Sequence, residues 1–85
     1  DVREPDEYEA AHVPGAVLIP LGQIVERVDE VSGDEPVYVI CQMGSRSAKA
    51  VQWLRTQGID ARNVAGGTKA WMESGKPIAI GPFPG

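Results

Sequence analysis

The apolar positions of this chain follow two kinds of spacing, and their order along the sequence predicts an architecture. Ala16-Val17-Leu18-Ile19, Val37-Tyr38-Val39-Ile40 and Arg62-Asn63-Val64-Ala65 are runs of strand length. The first two lack in/out alternation, as strands buried on both faces of a parallel sheet do. Between them Leu21, Ile24, Val25, Val28 and Val31 recur at helical spacing, one face of a helix that ends before Ser32-Gly33. Between the second and third runs, Ala50, Val51 and Leu54 make a similar stripe with Trp53 beside it, and Gly58 stands where a C-terminal cap belongs. A final helix over 67–74 carries Ala70 and Trp71 and stops at Gly75, with both tryptophans assigned to the core.

The order strand, helix, strand, helix, strand, helix predicts an α/β fold: a parallel β-sheet with right-handed crossovers, flanked by helices on both faces. Pro5 suits the first turn of a short helix running through Ala11, and Asp6, Glu7 and Glu9 suit the positive end of its dipole. Pro14 pushes Val13 out of the helical region, so His12-Val13-Pro14-Gly15 is a turn. Only Asp1 and Val2 precede Arg3-Glu4-Pro5, where such a unit normally enters its helix from a strand. The first strand is therefore expected to be truncated, with an apolar remainder upstream of Asp1. Residues 1–80 form the expected domain, and Gly81-Pro82-Phe83-Pro84-Gly85, without periodicity and with two prolines, a tail or linker.

Composition narrows the chemistry. At 85 residues there is room for one domain, and 42% hydrophobic with 24% charged residues is ordinary globular usage. No apolar run approaches the roughly 20 residues that cross a bilayer, so no membrane partner is expected. The single cysteine, Cys41, excludes within these residues a disulfide framework, a cysteine metal cluster and a two-cysteine redox motif, and mildly favours a reducing, cytoplasmic setting. Neither a metal nor another cofactor is expected. The net charge of −4 hides an asymmetry: residues 1–40 hold ten acids against Arg3 and Arg27, whereas residues 41–85 hold six bases against Asp60 and Glu73. Those bases are scattered singly in an acidic whole, which speaks against nucleic acid.

Cys41 ends a hydrophobic run and leads through Gln42-Met43-Gly44-Ser45-Arg46-Ser47 straight into a helix. In open α/β sheets ligands bind at the carboxyl ends of strands. Loop N–H groups and the positive end of the next helix converge there and favour anions. That field, with Arg46 and Lys49 adding charge, should favour thiolate over thiol. Gly44 lets the loop curl, while Ser45 and Ser47 can cap the helix or bond an anion. The alternatives are that Cys41 is inert filler and that Arg46 pairs with an acid in residues 4–9.

Cys41-x-x-Gly44-x-Arg46-Ser47 resembles the active-site loop of single-domain rhodaneses, the thiosulfate-type sulfurtransferases. Other marks of the family occur in order: Asp1-Val2-Arg3, His12-Val13-Pro14-Gly15-Ala16, Ile19-Pro20-Leu21 and Val64-x-Gly66-Gly67-x-x-Ala70-Trp71. The resemblance implies a rhodanese-like fold and catalysis by Cys41, which takes a sulfane sulfur from a donor as a persulfide and passes it to a thiol or cyanide. Gln42 to Ser47 would bind the donor. It also implies that His12 is structural, and Asp1 and Arg3 a cap or ion pair. Phosphotyrosine-type phosphatases have one residue more between cysteine and arginine than the four here, which argues against phosphate. Gln42 and Met43 are neutral where thiosulfate-preferring members often carry bases, so a persulfide donor is as plausible. The non-enzymatic alternative is a docking or sulfur-relay module fused to, or docking with, another domain.

Overall fold

A computed structural model describes residues 1–31 and 34–85. Helix α1, Pro5–Ala10, forms where the proline and early acids predict it. Glu7 Oε1 accepts the Glu4 backbone N–H at 3.0 Å, satisfying one of the donors a helix start leaves unpaired. Strand β1, Val37–Val39, leads through the cysteine loop to α2, Ser45–Thr56; β2, Ala61–Asn63, leads to α3, Gly67–Glu73. The two strands pair in parallel, Val37 opposite Ala61 and Val39 opposite Asn63. The third predicted strand thus sits one residue earlier than its apolar run.

The stripe on α2 is buried as predicted: Ala50, Val51 and Leu54 join Val39, Ala61, Ile59, Ile24, Ile19, Val2 and Cys41 in one core. Trp53 packs at its margin. Trp71 does not join it. It is half-buried, with Nε1 donating to the Pro77 carbonyl at 2.7 Å and the Lys76 ammonium 4.8 Å from its ring centre. There Trp71 borders a cleft of about 380 Å³ with Tyr38, Ile40 and Val64, on the sheet face turned away from α2.

Three expectations change. Ala16 to Ile19 forms no ladder strand; the Asp1 nitrogen donates to Val17 and Ile19 donates to Asp1, while Val2 donates to Ile40. Beside these residues lies a cavity of about 400 Å³ lined by Val17, Ile24, Val31, Tyr38 and Leu54. The helix expected from Leu21 to Val31 is two 3₁₀ turns, Leu21–Gln23 and Val28–Glu30. Gly22 and three β-branched valines lower its helix propensity, and Val25, assigned to the buried face, is 61% exposed. Its predicted end at Ser32-Gly33 lies outside the described residues. Lastly, β1 alternates after all, since Val39 is buried and Tyr38 is 65% exposed.

Gly81–Gly85 forms no regular element. It folds back on the His12 turn, with Gly81 donating to Glu9 and Gly15 to Pro84. His12 is fully buried, stacked on Tyr8 with ring centres 3.7 Å apart. Its Nδ1 lies 2.8 Å from the Tyr8 carbonyl and its Nε2 3.2 Å from that of Pro84. Both nitrogens are engaged with backbone, a structural role.

Candidate functional site

Gly44 makes the loop. Its φ of 109° is a conformation open to glycine and rarely to other residues, and it turns the chain so that Gly44 becomes the N-cap of α2. The turn brings the Gly44 N–H to 3.0 Å from Cys41 Sγ, and the Ser47 hydroxyl, one helical turn on, to 3.3 Å. Cys41, two residues beyond β1, is 1% exposed. Burial is the largest single influence on its thiol and opposes ionisation. It is outweighed by the Ser47 hydroxyl and the backbone N–H groups of Ser47, Gly44 and Met43 together, which lower the pKa to about 7. An inert thiol among apolar neighbours would be raised instead.

The carbonyl side of the loop is held from behind. The first free N–H groups of α3, those of Thr68 and Lys69, donate to the carbonyls of Cys41 and Gln42 at 2.9 and 3.0 Å, and the Thr68 hydroxyl adds a bond to Cys41 at 3.1 Å. These carbonyls therefore point out of the cup. The approach is so close that a Cβ on Gly67 would lie 2.5 Å from both oxygens. Gly66-Gly67 thus permits close packing, here against the loop.

The six residues after Cys41 divide. Gly44 and Ser47 face the sulfur with side chain or N–H, and Met43 contributes its N–H. The Gln42 side chain turns inward, accepting from Arg3 Nη1 at 3.0 Å. The side chains of Met43 and Ser45 are exposed, and Ser45 does not cap the helix. Arg46 pairs two-pronged with Glu7 at 2.7 and 2.8 Å, so the cup feels it as a charge at a distance. Lys49 is exposed. Among the described residues no group of His, Cys, Asp and Glu is placed to hold a metal.

Two contributors were foreseen in part, the Asp1–Arg3 pair and an acid of residues 4–9 on Arg46, and a third was not. Arg3, 2% exposed, binds Asp1 at 2.9 Å, the Ala11 carbonyl at 2.7 Å and Gln42, anchoring the loop to the amino-terminal segment. Glu7 takes Arg46. Asn63, read as part of a strand run, ends β2 beside Ser47 and Gly44. A polar residue at a strand's carboxyl end was the available signal.

The Arg46 hydrogen bonds hold the Glu7 carboxyl down to about 2, against an ordinary 4.5. The unfolded chain therefore takes up this proton first, and the pair's contribution is complete above about pH 4.5 and fades as pH falls toward 2. Glu7→Gln should cost about 0.5–1 kcal/mol at pH 7, the worth of a partly exposed pair. It should also flatten the acid limb of a urea-midpoint profile below pH 4.5; an unchanged limb would show the pair contributes nothing.

A family model described as a rhodanese-like domain matches residues 1–74. The chain belongs to the rhodanese-like domain family. This rhodanese-like domain is 47% identical over 72 residues to the uncharacterized protein YqhL of Bacillus subtilis, covering 84% of the chain and 57% of that protein. It is 43% identical over 72 residues to YrkF of the same organism, named as a candidate sulfur carrier protein, covering 84% of the chain and 39% of YrkF. The domain thus spans about half the length of these relatives. A solved rhodanese-related protein from Thermoplasma volcanium superposes with a TM-score of 0.89 at 34% identity, covering 93% of this chain and 79% of that one. The rhodanese-like α/β fold expected from the sequence is the fold of the chain.

Proposed function

We propose that this domain is a sulfurtransferase that carries a sulfane sulfur as a persulfide on Cys41, cradled by the N–H groups of residues 42–47. The observation that supports it is a buried cysteine held near pH 7 by four hydrogen-bond donors rather than by a basic side chain. Donors that keep their protons stabilise a sulfur anion without neutralising it. The Cys41 thiolate attacks the outer sulfur of a donor; a new S–S bond forms, the donor's own bond breaks, and its electron pair leaves with sulfite or a thiolate. An acceptor thiolate or cyanide then attacks the terminal sulfur, and the Cys41 thiolate leaves. These 85 residues hold no second cysteine, so the acceptor thiol lies outside them. With Gln42 turned to Arg3 and Met43 apolar, no loop side chain offers a cation to a sulfonate, which favours a persulfide donor over thiosulfate. The scarcity of cysteine fits a reducing, cytoplasmic setting.

The second reading, a sulfur relay without turnover of its own, is favoured by the name of YrkF. Incubation with glutathione persulfide should leave the protein heavier by one sulfur atom, and cyanide should remove that atom as thiocyanate. Steady turnover to a small thiol supports the transferase. Loading without such turnover supports the relay, and no loading by persulfide or thiosulfate overturns both.

A further inference from the structure

Ser47 has one hydroxyl proton and three acceptors within reach: Asn63 Oδ1 at 2.5 Å, the Gly44 carbonyl at 3.2 Å and Cys41 Sγ at 3.3 Å. The Asn63 amide is oriented by its other end, since Nδ2 donates to the Gly44 carbonyl at 3.2 Å and a carbonyl can only accept. Oδ1 is thus the atom that faces Ser47, and it is also an acceptor. By distance, the Ser47 O–H is donated to Asn63 Oδ1.

The consequence depends on the state of the sulfur. A Cys41 thiol can donate its S–H to Ser47 Oγ while the Ser47 hydroxyl donates to Asn63 Oδ1, and all groups are satisfied. A Cys41 thiolate would face Ser47 lone pairs unless the hydroxyl turned toward it, which leaves Asn63 Oδ1 without that donor. In a persulfide the charge moves to the terminal sulfur, Sγ becomes neutral, and the hydroxyl can return to Asn63. We propose that Asn63 is a positioning residue of the cysteine site: it holds the Ser47 proton in reserve, releasing it to Sγ only while that atom carries the negative charge, as nucleophile or as leaving group. The proton stays on Ser47 Oγ throughout. Asn63 acts through Ser47 and touches neither donor nor acceptor.

Charges bearing on Cys41 come from Arg3 and from Arg46 of α2, whose hydrogen bonds go to Asp1, Ala11, Gln42 and Glu7. The nearby charges of β2 and α3 are also paired, Arg62 with Asp60 and Lys69 with Glu73. Removing Asn63 therefore leaves those pairs in place and isolates the hydroxyl.

The competition has a sign that a scaffolding role lacks. If Asn63 only braced the Gly44 carbonyl, its loss would loosen the Gly44 N–H on Sγ and raise the thiolate midpoint. If it competes for the Ser47 proton, its loss frees that proton and lowers the midpoint. The test is the pH dependence of iodoacetamide alkylation of Cys41 in Asn63→Leu, Ser47→Ala and the double variant. Asn63→Leu should lower the midpoint by about half to one pH unit, the worth of one hydrogen bond, and should leave it unchanged in the Ser47→Ala background. A midpoint that stays or rises in Asn63→Leu, or an equal shift in both backgrounds, overturns the proposal. Should Asn63→Leu not fold, Asn63→Asp serves: it should raise the midpoint more with Ser47 present than without, and an equal rise overturns the proposal. The inference rests on the sulfur-carrying reading for its purpose, but alkylation reads the thiol directly. A protein that accepts no sulfur and still shows these midpoints separates the failure of one reading from the other.

Discussion

Cys41→Ser is expected to abolish sulfur loading outright while the fold survives. The serine hydroxyl is nearly isosteric, and the donors that surround Sγ at 3.0 and 3.3 Å remain to satisfy its oxygen in the core. What disappears is a nucleophile ionised at neutral pH: a thiol at about 7 is half thiolate there, whereas a hydroxyl is not. Neither a mass increase nor thiocyanate formation should be detectable after incubation with donor and cyanide, with an unchanged circular dichroism spectrum. In the wild-type protein the alkylation rate should rise through about pH 7 and level off above it, since the folded thiol loses its proton before an ordinary one does. Thiocyanate formed by the serine variant at wild-type rate would sink the assignment of Cys41.

Gly67→Ala should be nearly as damaging, although residue 67 touches no substrate. The added Cβ would sit 2.5 Å from the carbonyl oxygens of both Cys41 and Gln42, and backbone cannot yield as a flexible side chain would. The φ of 61° adds strain of about 1 kcal/mol. Relief requires α3 to withdraw, which loosens the Thr68 and Lys69 bonds and rotates the peptide planes of the loop. Misplacement of about 1 Å at a reacting group can cost on the order of 100-fold. Sulfur transfer should fall by about that factor, with the alkylation midpoint raised and far-UV signal retained. Full activity in a folded Gly67→Ala protein would mean that the loop does not depend on α3.

The parts of the fold legible in the sequence were those whose pattern is local. The α2 stripe, the acids and Pro5 of α1, and the loop from Cys41 to Ser47 each sit within a dozen residues. The failures came where spacing alone was read, and where partners lie far apart in the sequence. Leu21 to Val31 has helical spacing, yet Gly22 and the β-branched valines leave it as 3₁₀ turns, a balance that spacing does not report. Trp71 has the spacing of a core residue but bonds to Pro77 instead. In the site, Cys41, Gly44 and Ser47 follow from the motif. The partner of Arg46 is Glu7, one of the acids of residues 4–9 read as its alternative partners, whereas that of Gln42 is Arg3, and no local pattern ties those two positions. The thiolate was expected to draw first on the loop N–H groups and the helix end, and N–H groups with the Ser47 hydroxyl do lower the thiol pKa; the added charge expected from Arg46 is instead paired with Glu7.

Arg3 joins three segments through one nearly dry guanidinium: Asp1 beside it, the end of α1 at Ala11, and the cysteine loop at Gln42. Segments knotted in this way melt as one cooperative unit, because releasing any of them strands a cation away from water. The loop is thereby removed from the class of surface segments that breathe independently. Its amides should exchange with solvent deuterium only when the amino-terminal segment also opens, giving the cup a lifetime set by the stability of the domain.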